Sequence, residues 1–253
     1  MIGKERYYQK AKEASTKIGN HPGLIILRQL VSISKKVLDV GCGEGTRLNL
    51  FSKKGHKGTG VDVSGYAIKK AKKQYSHFNF VLVKGEKLPF QSNSFDLAYS
   101  TFVLEHTQDP KLFVDEMIRI VRPNGKIVIL CPNYGAPNRR SPVSKANPLK
   151  KLLFGVTQDI IPKHNTSLSF TKVTPRKIFR NSDDDTTCEP YLLTLQRYLI
   201  KEQNIQIEIS SSLWEIDDQV HSHHQRIFKF LGTYKIPPFK FWGPQLFVVL
   251  RKI

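Results

Sequence analysis

The residues with the clearest chemical purpose form one run, VLDVGCGEG, at 37–45. Gly41, Gly43 and Gly45 alternate along it, and without side chains the backbone can turn sharply and approach a ligand closely. The N–H groups that open a following helix have no partners within that helix and form a polar cradle. The spacing is G-x-G-x-G, whereas a nicotinamide dinucleotide site uses G-x-G-x-x-G with the helix start facing a pyrophosphate. Asp39 precedes the first of these glycines, where a carboxylate would repel a diphosphate and suit an ammonium group. A second acid, Asp62, follows about 20 residues beyond Gly41, where an ionised carboxylate can accept from both ribose hydroxyls. The ligand that fits is a nucleoside carrying a cationic amino acid moiety.

Strands and helices must hold those residues in place. VLDV at 37–40, GTGVDV at 58–63, FNFVLV at 78–83, FDLAYS at 95–100 and KIVILC at 126–131 are near-continuous apolar runs, as strands buried on both faces require. Between them the pattern predicts a helix over 46–54 closed by Gly55, a helix over 66–73 capped by Ser64, and a helix opened by Asp109 and Pro110. In the last, Leu112, Phe113, Met117, Ile120 and Val121 form one stripe, and RPNG at 122–125 breaks it. Alternating strands and helices predict an α/β fold with a doubly wound, mostly parallel sheet and ligands at the carboxyl ends of its strands. The rhythm stops after Asn133. Residues 134–189 are rich in Pro, Ser and Asn and carry no long periodic segment, which predicts a lid inserted after strand five. A helix near 191–201 and strands at 205–209 and 245–250 then rejoin the sheet and make it seven-stranded. The chain divides into an N-terminal helical segment (1–35, one or two basic helices), a cofactor-binding core (36–133), the inserted acceptor-binding region (134–189) and a C-terminal part that completes the sheet (190–253).

Bulk properties narrow the function classes. Of 253 residues, 40% are hydrophobic, so a packed core is expected and global disorder is not. No run approaches the roughly 20 apolar residues of a membrane span, and the polar start lacks a secretory signal's apolar stretch; a cytoplasmic location is expected. The three cysteines, Cys42, Cys131 and Cys188, have neither disulfide-framework nor zinc-ligand spacing. HSHH at 221–224 reads as a solvated loop, and no metal is expected. Forty Lys and Arg against 21 Asp and Glu give a net charge of +19, which favours an anionic partner, either nucleic acid, an anionic membrane surface or a phosphorylated substrate. The alternative is a set of solvated basic faces.

S-adenosylmethionine combines the ammonium, sulfonium and ribose that the two acids call for. VLDVGCGEG, GVDVS, GEKLPFQSNSFDLAYSTFVLEH and IRIVRPNGKIVILCPN resemble consecutive motifs of the class I S-adenosylmethionine-dependent methyltransferases, and within them the type-11 methyltransferase domain family, over roughly residues 36–133. The resemblance implies a Rossmann-like sheet, that cofactor, and methyl transfer. It implies that Asp39, Gly41 and Gly43 line the methionine part and that Asp62 holds the ribose, with Cys42 and Val63 beside them. Gly85 and Glu86, after strand three, would face adenine, and Ser100 would lie near the reacting methyl. One position departs from the pattern: Lys84 stands where relatives place an adenine-binding aspartate, and an ammonium is donor-only. Backbone groups and Glu86 would then recognise adenine.

Displacement at a sulfonium methyl gains much from orientation alone, and a general base is needed when the acceptor must lose a proton. His106, in EHT after strand four, has a suitable ordinary pKa; otherwise it packs at a helix start. Tyr134 either lines the acceptor pocket or packs beneath the insertion. Cys131 reads as a small buried hydrophobe and IPPF at 236–239 as a proline-stiffened turn. The run Asp183, Asp184, Asp185 reads as the lead-in to a helix. Arg139, Arg140, Lys150 and Lys151 would suit an anionic acceptor. The expected activity is methyl transfer to O or N of a small-molecule acceptor, a saccharide or lipid-linked anionic metabolite. An RNA methyltransferase is the enzyme alternative, favoured by charge but lacking the Asn/Asp-Pro-Pro-aromatic motif after strand four. A non-catalytic S-adenosylmethionine-binding module is the other.

Overall fold

The computed structural model describes residues 13, 16, 19–53, 57–161, 167–176, 183–216 and 223–253. Strands β1 (Lys36–Val40), β2 (Lys57–Asp62), β3 (Asn79–Leu82), β4 (Phe95–Thr101) and β5 (Val121–Pro132) pair in parallel. The strands β8 (Ile205–Ser212) and β9 (Gln245–Lys252) add antiparallel to β5, giving a seven-stranded sheet ordered β3-β2-β1-β4-β5-β9-β8. β6 (Thr171–Lys172) and β7 (Cys188–Glu189) form a separate short ladder.

Side chains alternate between the faces of a strand, and the core divides accordingly. Ala98, Ile127, Ile129, Val248 and Leu250 enter one cluster; Leu97, Tyr99, Val128, Leu130, Phe247 and Val249 enter the other. The first face is covered by α4 (Pro110–Ile120) and α6 (Leu192–Leu199), the second by α1 (Pro22–Ile33), α2 (Thr46–Phe51) and α3 (Gly65–Gln74). Each fully buried Leu or Ile contributes about 1.5–3 kcal/mol relative to exposure, so the apolar strands require both layers. The sheet is therefore doubly wound, and its order reverses between β1 and β4, the place where such sheets bind ligands. Capping fixes where the helices start: Ser64 Oγ accepts from Ala67 N at 3.3 Å and Asp109 Oδ1 from Leu112 N at 2.9 Å.

Several local expectations change. The segment 134–189 contains a 13-residue helix, α5 (Pro148–Ile160), whose start is capped by Asn147. Its apolar residues leave none of its side chains fully buried, so its periodicity is not that of a core helix. A further helix, α7 (His223–Thr233), lies in the C-terminal part; His223 and His224 open it exposed, and His221 lies outside the described residues. Residues 183–185 do not cap a helix, because α6 begins only at Leu192. RPNG is taken up as a bulge in β5, with Asn124 at φ +64°, and Leu112 is 38% exposed rather than part of the buried stripe. α1 is apolar rather than basic, burying Leu24, Leu27 and Val31 against the sheet. α2 ends at Phe51, and Gly55 lies outside the described residues. Among the described residues no helix is long and apolar enough to cross a membrane.

Candidate active site

The carboxyl ends of β1, β2 and β4 open onto a cavity of about 1000 Å³. One end is built largely from backbone. Gly41 and Cys42 N–H groups donate to Val61 O at 2.8 and 2.9 Å, carrying the β1–β2 pairing into the turn. Gly41 has φ +80°, and a Cβ there would lie 2.2 Å from Val103 Cγ2; only glycine fits. Gly43 has φ +53° with nothing within 4 Å of a Cβ position, so open space faces it. The Gly43 N–H donates to Asp62 Oδ2 and the Ser64 N–H to Asp62 Oδ1, both at 2.8 Å. Burial raises the Asp62 pKa against the pull of those backbone donors. Each oxygen keeps a second lone pair for a hydroxyl. Val63, Gly85 and Glu86 continue this wall, and Glu86 Oε1 accepts from Gln108 N at 2.7 Å, fixing the loop ahead of α4.

Two expected residues stand elsewhere. Ser100 is not part of the lining; its hydroxyl donates to Val40 O at 3.0 Å and ties β4 to β1. Asp39 lies beneath the turn, 1% exposed, with neither carboxylate oxygen hydrogen-bonded. Burial pushes its pKa up to about 7, against the pull of neighbouring Tyr99 and Arg47. Lys84 is exposed and likewise outside the lining. Arg47, in the first turn of α2, does line the cavity. Its Nη1 donates to Thr101 Oγ1 at 2.7 Å, its guanidinium lies 5.2 Å from the Phe102 ring centroid, and its Nε has no partner. A cation there suits a carboxylate.

The other end is built from ionisable side chains. Glu105 and His106 sit on the 3-10 turn Leu104–His106 after β4. Around it, Thr187 N donates to Glu105 O at 2.9 Å and Thr187 Oγ1 to Thr107 O at 2.8 Å. These bonds pin the segment before β7 against the turn and bring the acidic run to the cavity. His106 Nδ1 lies 3.1 Å from Asp185 Oδ1 and Nε2 3.7 Å from Glu105 Oε1. The Tyr134 hydroxyl donates to Asp183 Oδ2 at 2.8 Å. Glu105 is fully buried with both oxygens unbonded, and burial pushes its pKa up to about 7 despite the nearby imidazole. Burial is the largest single influence on His106 and opposes its protonation. Glu105, Asp185 and Asp183 together outweigh it and raise the pKa. Asp184 turns inward to Arg176 at 2.9 Å. Lys151 is held by Glu189 at 2.6 Å and by Tyr134 O at 2.7 Å, a structural role, while Arg139 and Arg140 do line the cavity. Cys131 is buried outside the lining and its thiol pKa is driven up by burial, which disfavours the nucleophilic thiolate.

Residues 38–129 match the sequence profile of the methyltransferase domain family. That stretch is similar to a methyltransferase domain. The chain is 31% identical over 99 residues to a demethylmenaquinone methyltransferase of Paenarthrobacter aurescens strain TC1, covering 39% of each chain. It is 35% identical over 107 residues to the mitochondrial ubiquinone biosynthesis O-methyltransferase of Schizosaccharomyces pombe, covering 38% of this chain and 37% of that one. The chain thus spans about two-fifths of the length of the curated relatives it matches. An S-adenosylmethionine-dependent methyltransferase from Mesorhizobium loti shares the fold, with a TM-score of 0.58 at 18% identity over 94% of this chain and all of that one. The fold is that of the class I methyltransferases, with two antiparallel strands completing a parallel sheet.

The fold brings Gly41, Cys42, Gly43, Asp62, Val63, Gly85, Glu86 and His106, all within the matched stretch, to one cavity, and Tyr134 joins them from beyond it. Sequence reasoning missed Glu105, Arg47, His21 and the place of Asp183 and Asp185 in the cavity lining. Glu105 adjoins the histidine already singled out in EHT, so that signal was present. His21 carried none: it caps α1 by accepting from Leu24 N and meets Gln245 Oε1 at 2.8 Å through Nε2, a contact between the two ends of the chain.

Proposed function

We propose that the chain is an S-adenosylmethionine-dependent methyltransferase acting on a hydroxyl or amine of a small-molecule acceptor. The observation that carries this reading is the convergence of Asp62, the Gly41–Gly45 turn and the His106–Asp185 pair on one cavity. The residues fit the cofactor: open space at Gly43, an oriented carboxylate at the end of β2, the Arg47 guanidinium for the methionine carboxylate, and an apolar wall of Val63, Val83 and Leu88. Bound there, S-adenosylmethionine would supply an electrophilic methyl group. Asp185 faces the His106 ring at 3.1 Å as its charge partner, and the neutral imidazole accepts the proton an acceptor hydroxyl must lose. Tyr134 and Glu105 position the acceptor by hydrogen bonding. Tyr134, Asn138, Arg139, Arg140, Asp183 and Asp185 line this end, and Arg139 and Arg140 take an anionic or polar remainder of the molecule.

Three carboxylates around His106 favour a reacting end that donates hydrogen bonds and disfavour a phosphate there. This supports a small-molecule acceptor over RNA. The quinone and ubiquinone-pathway relatives point to the same substrate class. Incubation with methyl-labelled cofactor and either metabolite extract or total RNA tests the proposal. Label is expected in the metabolite fraction and not in RNA. Calorimetry with S-adenosylhomocysteine should show binding, and failure to bind it would remove the activity altogether.

A further inference from the structure

Two helices outside the active site each present a second apolar face. On α5, Leu152 and Val156 pack against the cluster of Trp214 and Trp242, and Asp159 accepts from Tyr191 and Trp242 at 2.6 and 2.8 Å. The opposite side carries Leu149, Leu153 and Phe154, 64%, 61% and 60% exposed, with Ile160 at 68%. On α7, Phe228 stacks on Phe239 at 5.4 Å within the same cluster. Ile227, Phe230 and Tyr234, one stripe at i, i+3 and i+7, are 49%, 60% and 69% exposed. A helix that already buries one face ordinarily keeps the other polar, and exposed apolar stripes on two helices packed over one cluster mark an interaction surface.

Charge identifies the partner. Between Pro148 and Ile160 the only acid is Asp159, which is turned inward. From His223 to Phe241 there is no acid, while Arg226, Lys229, Lys235 and Lys240 accompany the stripe, and Lys150 lies beside the one on α5. Apolar side chains flanked by cations are what an anionic bilayer interface accepts: the former enter the headgroup–acyl boundary and the latter remain at phosphate depth. A second copy of the chain would bring the same cations face to face, within a molecule already carrying +19. We propose that the outward faces of α5 and α7 dock on an anionic phospholipid surface.

Co-sedimentation tests this directly. The full chain should pellet with vesicles of equal parts phosphatidylcholine and phosphatidylglycerol, and not with phosphatidylcholine alone. Replacing Leu153, Phe154 and Phe230 together by serine should lower the partition coefficient on the order of tenfold or more, as should Lys150→Gln with Arg226→Gln. Because these side chains are exposed, circular dichroism and melting temperature should stay unchanged, and neither readout depends on methyl transfer. Three results would overturn the proposal: no wild-type binding to anionic vesicles, undiminished binding by the serine variant, or a wild-type dimer on gel filtration that the serine variant dissociates.

Discussion

The two ends of the cavity are made of different materials. At the cofactor end the backbone does most of the work: positive-φ glycines, N–H groups paired to Val61 O, and one carboxylate held by two backbone donors. At the acceptor end, side chains from three separated stretches meet: Glu105 and His106, Tyr134, and Asp183 with Asp185. The first end is rigid because its geometry is fixed by sheet pairing. The second depends on a few contacts, Thr187 to the 104–107 turn above all, and its charges perturb one another. Errors at the cofactor end should therefore disturb folding and binding together, whereas errors at the acceptor end should disturb chemistry alone.

Substitutions can break that contrast. The largest effect is expected for His106→Asn, which should lower kcat about 10²–10⁴-fold while S-adenosylhomocysteine affinity measured by calorimetry stays within twofold, on the order of experimental error. Parallel losses in both quantities would place His106 in cofactor binding instead. Gly41→Ala should cost on the order of 3 kcal/mol in urea unfolding, from backbone strain and the collision with Val103, and abolish cofactor binding. Gly43→Ala, with no neighbour to strike, should cost only about 1 kcal/mol of stability yet still weaken binding. Equal destabilisation by the two would dissolve the distinction between a structural and a ligand-facing glycine.

Smaller changes sharpen the acceptor end. Tyr134→Phe removes the 2.8 Å bond to Asp183 and should reduce kcat/KM about tenfold, the equivalent of one hydrogen bond to a charged group. Asp185→Asn should act through pH. The Asp185 carboxylate favours the imidazolium and helps raise the His106 pKa, and the base works only when neutral. Removing that charge lowers the His106 pKa, so the acidic limb of the rate profile should move to lower pH. A limb that stays in place would assign it to another group, Glu105 being the first to examine.

How much was legible in the sequence follows the same division. The G-x-G-x-G spacing, Asp62 and the apolar strands are local signals whose meaning depends on neighbours a few positions away, and they identified the doubly wound sheet and one wall of its cavity. Asp39 was legible as an acid at the turn, but not as one sealed below it. The helical pattern of α5 escaped notice because its apolar residues are spread over both its inward and its outward side and mark no single stripe. The Asp183 to Asp185 run was assigned to a helix start because nothing nearby indicates that Thr187 and Cys188 bind the turn after β4.

Sequence alone determined the layered sheet, the strands that end at the cavity, and the glycines that let the chain turn, since hydrophobic periodicity and backbone sterics act over short spans. Tertiary structure decided which distant carboxylates surround His106, which of the basic side chains are already paired, and which helix faces remain open. Those outcomes depend on through-space distances between segments far apart in the chain, where burial and mutual charge, rather than residue type, set each group's protonation and role.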